Sequence, residues 1–220
     1  MSTVAAQDRC DRRNAAAVHN RFEMASASHD VVACEGWPAH NATSASTGTN
    51  TSEPGENHHA AVQPLLDVHY GSVVDEGDVA LRNLTYRLFV ELGRAPTVGD
   101  VAAAAGSSAD AVRSGWERLH DAHALVLQAG LTEVRMANPF SAVPTAYRVR
   151  ALDRWWYANC AWDAFGVCAA LGADGRIETS CADCGESLAI NVRDQQPDDP
   201  SLLFHCLVPA SHWWDDIAFT

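Results

Sequence analysis

The sequence predicts an α+β protein in which three helices and a β-hairpin, arranged as in a winged helix, precede a mixed, mainly antiparallel β core. Between residues 78 and 120, apolar side chains recur at helical spacing, with capping residues and glycines at the segment ends. After residue 138, the apolar side chains fall into short runs that are typical of strands. One apolar helix over 160–171 interrupts these runs, and we expect it to lie centrally in the core.

The first 62 residues have a composition unlike the rest of the chain. They are rich in Ser, Thr, Asn, Ala and His, and the stretch 45–56 (ASTGTNTSEPGE) is almost without apolar side chains. Such a composition buries too little surface to offset the entropy that ordering would cost. We therefore expect a disordered extension over 1–62. Its neighbouring His58 and His59 are interpreted as solvated, with metal binding as the alternative.

Three helices and a hairpin are predicted after this extension. Thr97 and Ser108 are good N-cap residues, and Gly93 and Gly106 follow the apolar runs where helices commonly end. Two strand candidates then surround Gly130, which completes the order of elements in a winged helix. The predicted helices are 78–92, 98–105 and 108–120, and the predicted strands are 124–128 and 133–137.

The winged-helix layout raises the alternative of a DNA-binding transcription regulator. The third predicted helix offers only Arg113 and Arg118 as basic groups, and the chain carries a formal net charge of −13 at pH 7. Because affinity for nucleic acid comes largely from Lys and Arg, we expect no nucleic-acid partner. We interpret the helices as a packing scaffold.

Composition also indicates the cellular setting. No stretch of the 220 residues is apolar over the length of a membrane span, and the N-terminus mixes charges through alanines, unlike a signal peptide. Seven cysteines, an odd number, do not suggest a disulfide framework. We therefore expect a cytoplasmic protein with reduced thiols and no membrane partner.

The second half of the chain is predicted to be rich in strands. Two prolines in the stretch 138–145 (NPFSAVPT) indicate an extended connector before the first of them. The predicted strands are 146–150, 155–157, 177–179, 187–192, 202–208 and 217–220.

The most informative motif is the run NCAWD at 159–163, where the apolar helix begins. Asn159 is a good N-cap, so Cys160 is predicted to be the first helical residue, with Asp163 one turn further on the same face. The positive end of the helix dipole favours a thiolate here. A soft sulfur nucleophile beside a proton carrier is suited to chemistry on a soft metal or an electrophile. A buried structural cysteine is the alternative, because Cys160 shares its face with Ala164, Val167 and Leu171.

Cys181 and Cys184 form a CxxC motif that is followed by a glycine. Zinc takes four ligands and the chain has no second CxxC, so we expect a β-turn with structural cysteines and no resident metal. A structural zinc is the alternative. The additional ligands that it would require are to be sought among His205, Cys206 and His212.

The run HWWDD at 212–216 is also unusual. Paired tryptophans are able to wall an apolar pocket, and the aspartates are able to act as ligands or general bases. Tryptophan in the core and aspartate in turns are the more common roles, and we expect these.

Several segments together resemble the organomercurial (alkylmercury) lyases, in particular the actinobacterial-type branch common in high-GC bacteria. The resemblance extends from about residue 78 to the end of the sequence. It implies a winged-helix-like domain that is not used for DNA, followed by a mixed β core that holds the site. The segments that carry it are NPFSAVPTAYRV (138–149), WWYANCAWDAFG (155–166), TSCADCGE (179–186) and VPASHWWDDIAFT (208–220).

The resemblance also implies roles for individual residues. In that family two cysteines and one aspartate cleave the carbon–mercury bond, and the first cysteine and the aspartate, spaced C-x-x-D, fall on Cys160 and Asp163. These two residues are therefore the implied catalytic residues and the implied contacts of the substrate mercury. A cysteine regarded as structural falls on Cys181, which favours a structural role for the CxxC motif that Cys184 completes.

The implied reaction is protonolysis of alkyl or aryl mercury to a hydrocarbon and Hg(II). It requires no organic cofactor, and small thiols or a mercuric reductase would accept the Hg(II). Composition and the resemblance together predict three parts: the extension 1–62, a winged-helix-like domain over 63–137 and a β-rich catalytic domain over 138–220.

The second catalytic cysteine of the family has no counterpart in this sequence. It would follow the stretch 216–220 directly, so we expect a chain that is truncated before this residue. Cys206 and Cys168 are the nearest thiols in sequence, and neither falls on the family position. A catalytically impaired protein that binds mercury or another soft metal is therefore the alternative function.

Overall fold

The computed structural model describes residues 74–130, 132–199, 201–202, 204 and 208–218. The expected extension over 1–62, which includes His58 and His59, and Cys206 lie outside the described residues. Within the described ranges, no helix combines the length and the apolar character that a membrane crossing requires.

The described part of the chain begins with three helices, each of which starts after a capping side chain. Asp75, Thr97 and Ser108 are the N-cap residues, and each side chain accepts a hydrogen bond from the backbone three residues later. Gly93 and Gly106 end the first two helices in the left-handed conformation, which glycine adopts without steric cost. The predicted helices are thereby confirmed, with bounds α1 Glu76–Leu92, α2 Val98–Ala105 and α3 Ala109–Asp121.

A buried polar contact and an ion pair join α1 to α3. The indole Nε1 of the fully buried Trp116 donates to Thr85 Oγ1 at 3.0 Å. The guanidinium of Arg118 donates to both oxygens of the buried Asp78, at 2.6 and 2.7 Å. The two helices therefore hold each other in a defined register.

The strands among the described residues are β1 Val126–Leu127, β2 Val134–Ala137, β3 Phe140–Ser141, β4 Tyr147–Ala151, β5 Arg154–Ala158, β6 Gly175–Ser180, β7 Ser187–Arg193 and β8 Gln196–Pro197. They form one antiparallel sheet in the order β1-β2-β3-β5-β4-β6-β7-β8. Helix α4, Ala161–Leu171, follows β5 and buries its apolar side against the sheet. A 3₁₀ helix, Ala210–Asp216, lies near the end of the described chain.

The predicted class, helices with an antiparallel sheet, is confirmed at this level. The order of α1 to α3 followed by β1 and β2 is also observed, and its interpretation as a winged helix stays a prediction. The sheet continues from β2 through β3 to β5, and so runs across the predicted domain boundary at 137 and 138. The expected connector over 138–145 contributes the short strand β3 to this link.

Two predicted strands near the end of the chain are wrong where the structure describes them. Leu202, Phe204 and Val208 lie outside any strand, and Ile217 and Ala218 form a turn after the 3₁₀ helix. The prediction of these two strands depended on short apolar runs, and such runs do not distinguish a strand from other apolar segments.

Candidate functional site

The candidate site lies where β5 passes into α4. Cys160 is the N-cap of α4, with φ −144° and ψ −176°, and the helix begins at Ala161. The prediction that Asn159 is the N-cap and Cys160 the first helical residue is therefore wrong by one position. The physical reason is that the Asn159 side chain donates hydrogen bonds to Asp163 and to the turn at 138–139 instead of capping the helix.

Asp163 lies in the first turn of α4 and is the acidic member of the site. Its Oδ2 accepts a hydrogen bond of 3.0 Å from Asn159 Nδ2. Burial raises the pKa of the Asp163 carboxyl to about 6, and the hydrogen bonds from Asn159 and Cys160 oppose this rise. A carboxyl in this range exchanges a proton near neutral pH, as a proton carrier must.

The Cys160 thiol is half-buried, and its environment favours the protonated form. Burial is the larger cause and the neighbouring Asp163 charge the second, and together they raise the pKa of Cys160 to about 11. Hydrogen bonds from the backbone N–H groups of Asp163 and Trp162 lower the pKa of Cys160, but their effect is smaller than the rise. The expectation that the helix dipole leaves a thiolate is therefore wrong for the unliganded protein, because desolvation outweighs the dipole.

The turn at 138–139 packs against α4 and holds the side chain of Asn159. Asn159 Nδ2 lies 3.0 Å from Asn138 Oδ1 and 3.4 Å from the carbonyl oxygen of Pro139. The carbonyl oxygen of Asn138 in turn accepts a hydrogen bond of 3.1 Å from the hydroxyl of Tyr86 in α1. The helical part of the chain is thereby coupled to the residues around Cys160.

Residues of β4 and of the segment before it complete the surroundings. Thr145 Oγ1 donates to the carbonyl oxygen of Ala158 at 2.6 Å and so fixes the end of β5. Tyr147 pairs with Ala158 across the sheet, and burial, followed by the charge of Cys160, raises the pKa of its hydroxyl. Sequence reasoning assigned no role to Thr145 or Tyr147, although both lie in the segment 138–149. No spacing rule connects them to Cys160.

An exposed aromatic pair stands beside the first turn of α4. Trp162 and Phe204 keep 41% and 37% of their surface exposed, and their ring centroids lie 6.0 Å apart. The sequence did not single out either residue for a role.

Cys168 does not stand in for a second thiol beside Cys160. It lies two turns further along α4, about 12 Å by the rise of a helix, which is too far for two sulfurs to share one metal ion. Its side chain is 1% exposed and faces Gly175, and burial raises the pKa of its thiol to about 11. Cys168 is therefore a core residue.

The CxxC motif forms a turn between β6 and β7. The backbone N–H of Gly185 donates to the carbonyl oxygen of Cys181 at 2.9 Å, and Cys181 N–H donates to Glu186. Cys181 is half-buried and Cys184 is exposed. No group of three or more His, Cys, Asp or Glu side chains is placed to hold a metal ion in the part of the chain that the structure describes.

The HWWDD run lies in the 3₁₀ helix, away from Cys160. Trp214 stacks on His123 with ring centroids 4.0 Å apart, and His212 Nδ1 lies 2.9 Å from Asp215 Oδ2. Trp214 also lines an open cavity of about 530 Å³ between this helix and the α3–β1 region. Neither Cys160 nor Asp163 is among the residues that line this cavity.

Comparison with known proteins agrees with the resemblance drawn from the motifs. Residues 140–220 match the family model of the alkylmercury lyases, MerB, and this range contains Cys160 and Asp163. The resemblance is confirmed for this domain, and the actinobacterial-type branch stays a prediction.

One solved structure similar to this chain is the mercury-bound form of MerB2. The two are 24% identical with a TM-score of 0.47, and the similarity covers 57% of this chain and 60% of that protein. The chain therefore spans less than two thirds of the length of this relative. No curated protein matches the chain.

Proposed function

We propose, from the alkylmercury lyase domain at 140–220 and the Cys160–Asp163 pair within it, that this chain cleaves the carbon–mercury bond of organomercury compounds. One observation carries the proposal. The chain places a thiol and a carboxyl of raised pKa within one helical turn, and a hydrogen bond joins them. This pair is able to bind a soft metal and to carry the proton that the reaction consumes.

The first step is capture of the substrate by sulfur. Mercury prefers thiolate to oxygen or nitrogen ligands, and a sulfur–mercury bond forms as the substrate's other ligand leaves. The Cys160 proton must leave at the same time, because a thiol binds metal as thiolate. Asp163 is the acceptor within reach, since its carboxyl already takes part in a hydrogen bond with the Cys160 thiol.

The second step returns this proton to carbon. The protonated Asp163 donates its proton to the carbon bound to mercury, and the electron pair of the carbon–mercury bond forms the new carbon–hydrogen bond. The hydrocarbon leaves, and Hg(II) stays on sulfur. The burial that raises the pKa of Asp163 also limits exchange of this proton with bulk water.

A second sulfur ligand would make the mercury more electron-rich and would favour release of the organic group. Cys160 is the thiol that the described residues place beside Asp163, and Cys206 lies outside them. We propose that a small thiol from solution supplies this second ligand. The same thiols, or a mercuric reductase, would accept the Hg(II), and the reaction needs no organic cofactor.

The helical part is proposed to be a winged-helix-like scaffold and not a DNA reader. The two basic side chains of α3 are already engaged, since Arg113 lies 2.8 Å from Asp110 and Arg118 binds Asp78. Paired guanidinium groups have little to offer a phosphate backbone. With reduced thiols at the site, a cytoplasmic location fits this function.

The proposal is tested by hydrocarbon release. Wild-type protein is incubated with phenylmercury and an excess of small thiol, and benzene in the headspace is measured. We expect benzene from the wild type and from Cys168→Ser, which changes a buried thiol outside the site. We expect none above background from Cys160→Ser. Retention of phenylmercury by the wild type without benzene would make the chain a mercury-binding protein and would refute the proposal.

A further inference from the structure

We propose that Asn159 is a positioning residue that fixes the orientation of the Asp163 carboxyl beside Cys160. The catalytic consequence of this inference rests on the proposed function. The contact that carries it is the 3.0 Å hydrogen bond from Asn159 Nδ2 to Asp163 Oδ2. Sequence spacing suggested a helix cap at this position, and the structure gives the side chain a different task.

The Asn159 amide is itself held in place, so it is able to orient a neighbour. Its Nδ2 group also faces Asn138 Oδ1 at 3.0 Å and the Pro139 carbonyl oxygen at 3.4 Å. Both acceptors belong to one turn that lies under α4. The amide therefore bridges this turn to Asp163, and rotation of its side chain would break contacts on both sides.

The turn has little freedom to move. Tyr86 in α1 holds the carbonyl oxygen of Asn138 at 3.1 Å. On the other side, Gly166 of α4 packs so closely that a Cβ at this position would lie 3.0 Å from Pro139 Cβ. The turn at 138–139, which holds Asn159, is thus packed between α1 and α4. A precisely oriented side chain requires such a rigid surrounding.

The chemistry of the amide suits a carboxyl that must both take and give a proton. A neutral N–H donor orients the carboxyl without supplying a positive charge. A guanidinium in the same place would hold Asp163 as a permanent ion pair, as Arg94 holds Asp100 at 2.8 Å elsewhere in the chain. Asn159 therefore orients the Asp163 carboxyl and still allows this carboxyl to take up and release its proton.

A second observation sets Asn159 apart from an ordinary structural amide. Its Oδ1 is buried and has no hydrogen-bond partner among the described residues. Leaving a buried acceptor without a hydrogen-bond partner destabilises a folded protein, so a side chain chosen for stability alone would avoid it. An unpaired Oδ1 is consistent with a role in which the Nδ2 group is required for the hydrogen bond to Asp163.

The test compares Asn159→Ala with a matched control. Asn191 donates through Nδ2 to Asp198 at 2.6 Å, on an exposed part of β7 and outside the site, so Asn191→Ala removes the same kind of bond without touching Asp163. The mercury-free measurement is the χ1 rotamer of Asp163, read from three-bond NMR couplings. We expect one rotamer in the wild type and in Asn191→Ala, and averaging over several in Asn159→Ala.

The kinetic measurement is benzene release from phenylmercury. We expect kcat to fall on the order of 10- to 100-fold in Asn159→Ala with KM nearly unchanged, because a misdirected proton carrier slows the chemical step and not capture by Cys160. Asn191→Ala should leave both constants unchanged. A loss confined to KM, or a single Asp163 rotamer in Asn159→Ala, would overturn the inference.

A further variant keeps the test decisive if Asn159→Ala does not fold by circular dichroism. Asn138→Ala removes one anchor and leaves the bond to Asp163, so we expect partial rotamer averaging and a smaller loss of kcat. An unchanged Asp163 in this variant would count against the inference. If the wild type releases no benzene, the proposed function fails, and the rotamer measurement still decides whether Asn159 orients Asp163.

Discussion

The hydroxyl of Tyr86 in α1 donates a hydrogen bond to the carbonyl oxygen of Asn138, 52 residues later in the chain, at 3.1 Å. This bond joins the helical part of the protein to the turn that supports Asn159 and, through it, Asp163. Helix α1 therefore contributes to the candidate site through the turn at 138–139.

Removal of the Tyr86 hydroxyl should lower the stability of the protein. Tyr86→Phe keeps the ring, which is 2% exposed, and loses the hydrogen bond to the Asn138 carbonyl. We expect the free energy of unfolding to fall by about 1 kcal/mol, measured by urea denaturation. Tyr157→Phe, on β5, is the control and should change it little. Equal effects of the two substitutions would contradict the structural role of Tyr86.

Stability should depend on pH through Asp163. Its pKa is about 6 in the folded protein and 3.8 is the ordinary value, so the folded state binds the proton more tightly. The wild type is then destabilised as pH rises from about 4 to about 6, by at most about 3 kcal/mol.

Asp163→Asn removes this titration. The stability of the variant relative to the wild type should therefore increase between pH 4 and pH 6, measured by denaturation at each pH. A constant difference between the two proteins across this interval would contradict the raised pKa of Asp163.

The reactivity of Cys160 should follow its raised pKa. With a pKa of about 11, the thiolate is rare at pH 7, and the rate of alkylation by iodoacetamide should rise about tenfold per pH unit up to that value. Asp163→Asn removes the neighbouring charge and should speed alkylation at a given pH. Peptide mass spectrometry measures the rate, with the exposed Cys184 as internal reference. A rate that levels off near pH 7 would show a thiolate instead.

The buried indole of Trp116 gives a prediction for the helical core. Its Nε1 donates to Thr85 Oγ1 at 3.0 Å, and both side chains are fully buried. Thr85→Val removes the acceptor and should lower the free energy of unfolding by about 1–3 kcal/mol, since a buried N–H group loses its partner. Thr85→Ser keeps the hydroxyl and should recover part of that loss. Thermal or urea unfolding measures both, and an equal loss in the two variants would exclude the hydrogen bond as the cause.

The sequence predicted the helices well because their ends depend on local chemistry. Thr97 and Asp100 form a capping box within four residues, and Gly106 closes the same helix. Such signals are complete within one turn of chain and can be identified without knowledge of the tertiary structure. The predicted strands over 202–208 and 217–220 lacked comparable signals, and only their apolar residues supported them.

The sequence identified the two residues of the candidate site, but it did not predict the contacts that support them or the protonation of Cys160. The spacing of Cys160 and Asp163 identified the pair, because an N-cap residue and the residue three positions later lie close together at the start of a helix. The contact between Asn138 and Asn159 joins residues 21 apart and depends on how α4 packs over the turn. The protonation of Cys160 depends on how far burial outweighs the helix dipole, and the spacing of apolar residues does not give this balance.

The most direct measurement follows a single turnover of protein-bound phenylmercury by intact mass spectrometry and headspace benzene. We expect that the wild type releases benzene and keeps Hg(II), whereas Asp163→Asn keeps the phenylmercury group on Cys160 and releases no benzene above background. Benzene release by Asp163→Asn at the rate of the wild type would contradict the proposed role of Asp163 as the proton carrier.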